Sequence, residues 1–327
     1  MKWIYFQKRC KVFNYSEQPK ARDISKGQNL LLTLTSLDEK RVNMLQEIAP
    51  HVLNNQYDPD AKVQPDSILF FFRGSELFCK KNEDEIVLPR ASEFKDIEDA
   101  VYLFSFDGTG CFLPHETPDA SYGYAYRDIR VIRKTGNASQ HFMFAAFTAY
   151  QLSHWYSVHR FCGHCGTDTI RSEEERAIVC PVCGQREYPK IAPAVVVAII
   201  DPEADKILLT KYAASRGAYP YYALVAGFNE IGETLEETAA REVMEETGLE
   251  IENLHYYKSQ PWGIVDDLMI GFFCHVKGSR EIHMDTAELR EAVWLSRDEV
   301  IPQPDNYSLT NEMMCLFKDG KEPCIAR

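Results

Sequence analysis

Apolar and polar positions alternate over short runs through the first 140 residues, which predicts strands joined by loops. Residues 67–74 read as an apolar strand ending at a turn, with residues 75–79 continuing after it. Residues 100–108 read as another strand, residues 30–34 as a third, and residues 128–133 as strand-like again. Residues 41–48 look helical, and residues 138–157 read as a helix rich in Phe and Ala. Further on, residues 194–200 are a β-branched run of the kind that fills a buried strand. Residues 206–212, 222–226, 249–258, 268–276 and 292–295 add strands, a helical start follows at 296–299, and a last helix covers 309–318. Strands interleaved with two helices predict a layered α/β domain behind a mostly β N-terminal one.

One stretch, residues 227–249, breaks this rhythm. Gly227 and Gly232 bracket a turn, and Thr234 with Glu237 forms a capping box that starts a helix. Gly248 suits the position after its last turn. Leu235, Ala239 and Val243 make an apolar stripe. Beside it, Glu242, Glu245 and Glu246 project within about 100° of one another, at about 100° per residue. Three carboxylates on one side of a helix repel, and a hard divalent cation such as Mg²⁺ or Mn²⁺ removes the conflict. On spacing alone, an acidic exposed helix without a ligand is the competing reading.

Composition narrows the class. The chain has 327 residues, 45% hydrophobic and 26% charged, as in a globular protein with room for two or three cores. Its net charge of −13 argues against broad binding to nucleic acid or anionic membrane. No apolar run reaches about 18 residues, so no membrane helix is expected. The apolar core of residues 1–9 is too short for a signal peptide. Six of the ten cysteines (Cys10, Cys79, Cys111, Cys274, Cys315, Cys324) stand singly, which suits a reducing cytoplasm. His51, His115 and His141 are isolated along the chain and read as structural or exposed.

The remaining cysteines form C-x2-C…x14…C-x2-C: Cys162 and Cys165, then Cys180 and Cys183. Two such knuckles around a hairpin favour one structural Zn²⁺ per chain over an iron–sulfur cluster or a redox dithiol. The hairpin sets Glu173, Glu174 and Glu175 against Arg171 and Arg176, a poor surface for phosphate. Residues 188–193, with two prolines, read as a stiff linker.

The stretch at 227–249 resembles the Nudix box, G-x5-E-x7-R-E-U-x-E-E-x-G-U with U aliphatic. Gly227, Glu233, Arg241, Glu242, Val243, Glu245, Glu246, Gly248 and Leu249 fill every fixed position. An N-terminal domain, a four-Cys ribbon and this box, in that order, resemble the NAD(H) diphosphatase subfamily. The likeness is strong over residues 155–296 and weak before them. Ser259-Gln260-Pro261-Trp262 begins that subfamily's S-Q-P-W-P-F-P-x-S, but Gly263-Ile264-Val265-Asp266-Asp267 then departs from it. The resemblance implies a Nudix α/β/α sandwich over 189–327, a zinc ribbon over 158–188 and an N-terminal domain over 1–157, in an α+β and α/β multidomain chain.

It also implies roles. Glu242, Glu246, Glu288 and the Ala226 carbonyl would hold catalytic Mg²⁺ or Mn²⁺, with Glu245 in or near that shell. Tyr188, Phe228, Gln260, Pro261, Trp262 and Glu175 would meet the substrate. Arg241 would orient Glu233 or another carboxylate, and Glu245, Glu246 or Glu288 would take a proton from water. The implied reaction is metal-dependent hydrolysis of NAD(H) to NMN(H) and AMP, in a cytoplasmic homodimer without membrane contact. Other Nudix substrates remain open: the NAD-capped 5′ end of an RNA, ADP-ribose or a CoA-type diphosphate. A non-catalytic Nudix-like sensor is a further alternative, disfavoured because every box glutamate is present. Asp266 and Asp267 are expected to shift substrate preference.

Overall fold

The computed structural model describes residues 44–324, except 83–84, 96, 98, 121–122, 136–137, 217–218 and 305–306. The expected strand at 30–34 lies outside them. In the N-terminal part, the strand Ala100–Phe106 pairs with Leu53–Asn54 and with Thr109–Pro114, and Ile68–Leu69 joins the latter in parallel. A second sheet is built on Glu76–Asn82, flanked by Phe72–Arg73, Glu85–Val87 and Ala125–Asp128. The expected single strand at 67–74 is therefore two short ones in different sheets. Phe70 and Phe71 carry the crossing and are buried in two separate apolar clusters.

Two helical expectations fare differently. The helix α2, Gln140–Val158, starts on Ser139, whose side chain accepts from the Phe142 amide. It buries Met143, Ala146 and Phe147 against the N-terminal strands. Residues 128–133, expected as a strand, instead open the helix α1, Ile129–Thr135. Asp128 Oδ1 accepts from the amides of Arg130 (2.7 Å) and Val131 (3.3 Å), which nucleates the turn. Ile129 and Ile132 are buried while Val131 is 56% exposed, so the period here is helical. The described part of 41–48 is turns, not the expected helix.

The ribbon is a three-stranded antiparallel sheet: Ile170–Arg171, Ile178–Val179 and Arg186–Glu187. The expected linker is short, because Ala192 and Pro193 already belong to the next strand, Ala192–Asp201.

That strand is the centre of a mixed sheet. Asp267–Lys277 runs parallel to it on one side, with Glu250–Trp262 beyond. Lys206–Tyr212 and then Leu289–Ser296 lie on the other, and Val225–Phe228 pairs with its first half. Its alternation is fully buried. Val195, Val197 and Ile199 pack with Ala239 and Val243 of α3, Leu235–Thr247. Val196, Ala198 and Ile200 pack with Leu309, Met313 and Phe317 of α4, Leu309–Lys318. This is the expected α/β/α sandwich. Within the turn after Trp262, Ile264 is 8% exposed and packs into the cluster built around α2, while Val265 is 49% exposed.

Candidate active site

The helix α3 carries the site, and its ends are fixed as the sequence requires. Thr234 Oγ1 accepts from the Glu237 amide (3.2 Å), and Glu237 Oε2 accepts from the Thr234 amide (2.8 Å). Gly248 closes the helix at φ 69°, and its N–H donates to Met244 O. A Cβ there would lie 2.8 Å from His283 Cβ as well as being strained.

Arg241 organises the carboxylates. Its Nε and Nη2 donate to the two Glu233 oxygens (2.6 and 2.9 Å), and Nη1 donates to Glu242 Oε1 (2.7 Å) and Glu245 Oε2 (2.9 Å). Nη2 also reaches the Phe228 carbonyl (3.0 Å), tying the helix to the strand Val225–Phe228. The guanidinium holds the Glu233 carboxyl down to about 2. Arg241 thus positions acids, as expected.

The acids differ in setting. The Glu245 side chain is 59% exposed, and that of Glu242 13%. Glu246 is buried, at 3% exposure. Burial pushes the Glu242 carboxyl up, Arg241 opposes this, and the charges of Glu245 and Glu288 add to it. Glu288 therefore lies within electrostatic reach of Glu242 although 46 positions separate them in sequence. Two backbone bonds bring it there: His283 N–H donates to Thr247 O (2.8 Å) and Asp285 N–H to Glu246 O (3.0 Å). The sequence contains no local signal for this staple.

Gly227 supplies clearance. An ideal Cβ on it would lie 1.9 Å from Glu242 Cδ and about as close to both oxygens. Its neighbour Ala226, whose carbonyl is a candidate ligand, pairs with Val196. Crowded carboxylates, one desolvated and only partly answered by Arg241, are a donor set that suits a hard divalent cation. Glu242, Glu246, Glu288 and the Ala226 carbonyl are the residues that would hold it, although among the described residues only the four cysteines draw their ligand atoms together.

The expected substrate residues divide into three groups. Register places Phe228, Ala194, Met269 and Gln260 in one row across the sheet, and Ala192, Asp267 and Trp262 in the row two residues before it. Alternation turns both rows to the α4 face. Phe228 is 55% exposed there, against ordinary core packing. Gln260 is buried, and its amide is committed: Nε2 donates to Tyr307 O (2.7 Å) and Oε1 accepts from Leu309 N–H (2.7 Å). It shapes the floor of a small cavity of about 150 Å³ rather than offering its amide to it. Pro261 alternates to the opposite face. Trp262 lines the same cavity, meets Phe147 edge-on, and lies under the Arg133 guanidinium at 4.7 Å. Tyr188 and Glu175 form the third group, with Tyr188 Oη donating to Glu175 Oε1 (2.9 Å) and Arg186 Nη1 donating to the same oxygen (2.8 Å). This pair sits on the ribbon, just before the chain enters the strand Ala192–Asp201.

Asp267 is buried at 7% exposure, and its Oδ1 has no hydrogen-bond partner. Burial, with the charge of Asp266, pushes its carboxyl up to about 6, against the pull of Lys190. A folded-state value above the unfolded one favours the protonated fold. The stabilisation is full below the unfolded value of 3.8 and is lost as pH rises through about 6. Asp267→Asn, uncharged throughout, is expected to overtake the wild type as pH rises from 4 to 8. The gain in its relative stability across that window should be about 2–3 kcal/mol. Denaturant unfolding at each pH measures this, and parallel stability curves for the two proteins would refute it.

The zinc candidates converge. Sγ···Sγ separations are 3.4 Å for Cys165 and Cys180, 3.5 Å for Cys162 and Cys183, and 3.7 Å for Cys165 and Cys183. A tetrahedron with Zn–S bonds of about 2.3 Å has edges of about 3.8 Å, so the set fits Zn²⁺. Each knuckle turns on a glycine at φ 75°, Gly166 and Gly184, whose amides donate to Cys162 O and Cys180 O. The His164 and Cys183 amides point at Cys162 Sγ and Cys180 Sγ. His164 itself is exposed and outside the set.

Comparisons with known proteins agree with this division. The NUDIX domain family matches residues 190–317, and the NADH pyrophosphatase zinc ribbon domain family matches residues 157–188. The chain thus carries a Nudix domain preceded by a zinc ribbon, with a mostly β region before both. It is 45% identical over 156 residues to the "NAD-capped RNA hydrolase NudC" of Pectobacterium carotovorum subsp. carotovorum (strain PC1), covering 47% of this chain and 58% of that one. A protein of the same name from Escherichia coli O1:K1 / APEC is 42% identical over 156 residues, covering 47% of this chain and 59% of its own length. The matches therefore span less than two thirds of these relatives. Among solved structures, a NUDIX hydrolase from Nitrosomonas europaea is similar at a TM-score of 0.40 and 26% identity, over 49% of this chain and 91% of that one. No helix among the described residues is long and apolar enough to cross a membrane.

Proposed function

We propose that this chain, with its zinc ribbon and Nudix domain, hydrolyses the diphosphate bond of NAD-type dinucleotides, releasing NMN(H) and AMP. The observation that carries the reading is Glu242, desolvated in the Gly227 clearance and within the field of Glu245 and Glu288, with Arg241 holding the helix to the strand. Glu242, Glu246, Glu288 and the Ala226 carbonyl would hold Mg²⁺ or Mn²⁺. A divalent cation held by these residues would supply charge neutralisation of the diphosphate and a lowered pKa of water. Arg241 keeps Glu242 and Glu245 oriented. Glu245, Glu246 or Glu288 would take a proton from the attacking water. Phe228 and Trp262 offer aromatic faces on the α4 side of the sheet, where a base or nicotinamide ring can stack. The protein would act as a cytoplasmic homodimer.

A second reading, removal of an NAD cap from RNA, is supported by the names of the relatives. The same bond is broken, and only the leaving nucleotide differs. A non-catalytic sensor is disfavoured by the complete set of box carboxylates. Purified protein with Mg²⁺ or Mn²⁺ should convert NAD⁺, NADH or NAD-capped RNA to products with the masses of NMN(H) and AMP or 5′-phosphorylated RNA. The ranking of substrates should change in Asp267→Ser. Absence of NMN(H) from every substrate would sink the reading.

A further inference from the structure

A cleft of about 750 Å³ opens where α2, the N-terminal strands and the ribbon meet. All of its lining residues precede residue 179, so it is separate from the carboxylates of α3. Its size falls in the range of small-ligand sites. Its walls combine aromatic and basic side chains: Phe72 and Tyr156 with Arg160, Arg171, His115 and His159.

Two of these side chains are cheaply held. Arg171 Nη2 and His115 Nε2 share the carboxylate of Asp99, at 3.5 and 3.4 Å, and that carboxylate is 73% exposed. Exposed pairs of this length contribute about 0–1 kcal/mol, so a phosphate can displace Asp99. Arg160 is exposed and rests near the Phe161 ring, its Cζ 5.7 Å from the centroid. The ribbon thus has two unlike edges. Glu174 and Glu175 bind Arg186 on one, while Arg171 stands in the cleft on the other. Among the described residues the acids here are Asp168, which lines the cleft, and Asp99, which stands beside Arg171 and His115. In a chain of net charge −13, two arginines facing one cleft are a local concentration of positive charge.

We infer that this cleft is a second, non-catalytic site for a phosphate-bearing nucleotide, with the base against Tyr156 or Phe72 and the phosphate on Arg160 and Arg171. The nucleotide can be free or part of an RNA chain, since both present the same phosphate and base. The inference does not rest on the hydrolase reading, because it concerns binding without turnover.

The test is titration calorimetry with AMP and, separately, a four-nucleotide RNA, at low salt and without added Mg²⁺ or Mn²⁺. The expected result is one binding event per chain that weakens with salt. It should weaken at least about tenfold in Arg160→Gln/Arg171→Gln, and also in Ser153→Trp, which fills the cleft from α2. Zinc content and Tm of each variant check that the fold is retained. AMP binding alone would identify a free nucleotide as the ligand, and tighter RNA binding through the same arginines would identify a chain; either supports the site. No metal-independent binding, or binding unchanged in both folded variants, would overturn it.

Discussion

Glu246→Gln is expected to lower kcat by at least about 10²-fold at saturating Mg²⁺ or Mn²⁺, with little change in Tm. Even outer-shell partners of a metal site are worth about 10–100-fold, and a direct ligand is worth at least as much. Glutamine keeps the volume of this buried side chain (3% exposed) and removes only its charge. Loss of one carboxylate from a mutually repelling set should not unfold the helix. Gly227→Ala reaches the same end sterically. Its new methyl would occupy the space of the Glu242 carboxyl, so Glu242 must rotate away while the strand Val225–Phe228 stays paired. Both variants are assayed for product formation and for thermal unfolding with and without metal. Turnover within a few-fold of wild type in Glu246→Gln would remove it from the metal site. An unfolded Gly227→Ala would show that the clearance serves packing instead.

Legibility followed range. Helices α3 and α4 could be placed because their signals are local: the Thr234–Glu237 box, Gly248 at φ 69°, and Ser308 accepting from Asn311 N–H. The thiolate set was legible from spacing, since two knuckles leave little choice of partner. Local reading failed where tertiary burial decided. Ile129 and Ile132 bury while Val131 does not, so a strand-like pattern is a helix. The apolar run at 67–74 feeds two cores and breaks between them.

Within the site, the box names acids that share one side of a helix but not what steers them. Glu288 is placed by backbone bonds from His283 and Asp285 to the end of α3, and Gln260 is spent on Tyr307 and Leu309. Neither partnership leaves a trace in local sequence. Arg133 over Trp262, and the tilted approach of the His51 and His141 rings at 3.9 Å between centroids, are likewise products of the fold. The two histidines looked isolated only along the chain.

Cys180→Ser is expected to abolish stoichiometric zinc, from about one per chain to near zero, and to lower the unfolding temperature by several degrees. Folding and metal binding are one equilibrium in such sites, and a structural zinc is worth about 10–16 kcal/mol in isolated fingers. Here part of that loss is absorbed, because the ribbon is also fastened to the N-terminal sheets. Tyr57 Oη donates to Ser172 O (2.7 Å), and Arg176 Nη2 donates to Leu103 O (2.6 Å). The damage should therefore be local first. The pairing of Ile178–Val179 with Arg186–Glu187 loosens, and Glu175 loses its fixed relation to Tyr188. Hydrogen exchange should rise over 160–187 before it rises in the sandwich. Cys324→Ser, an exposed thiol outside the set, is the control and should keep both zinc and stability. Elemental analysis with calorimetry decides the matter: full zinc in Cys180→Ser, or equal losses in the control, would show that the four thiols do not form the metal site.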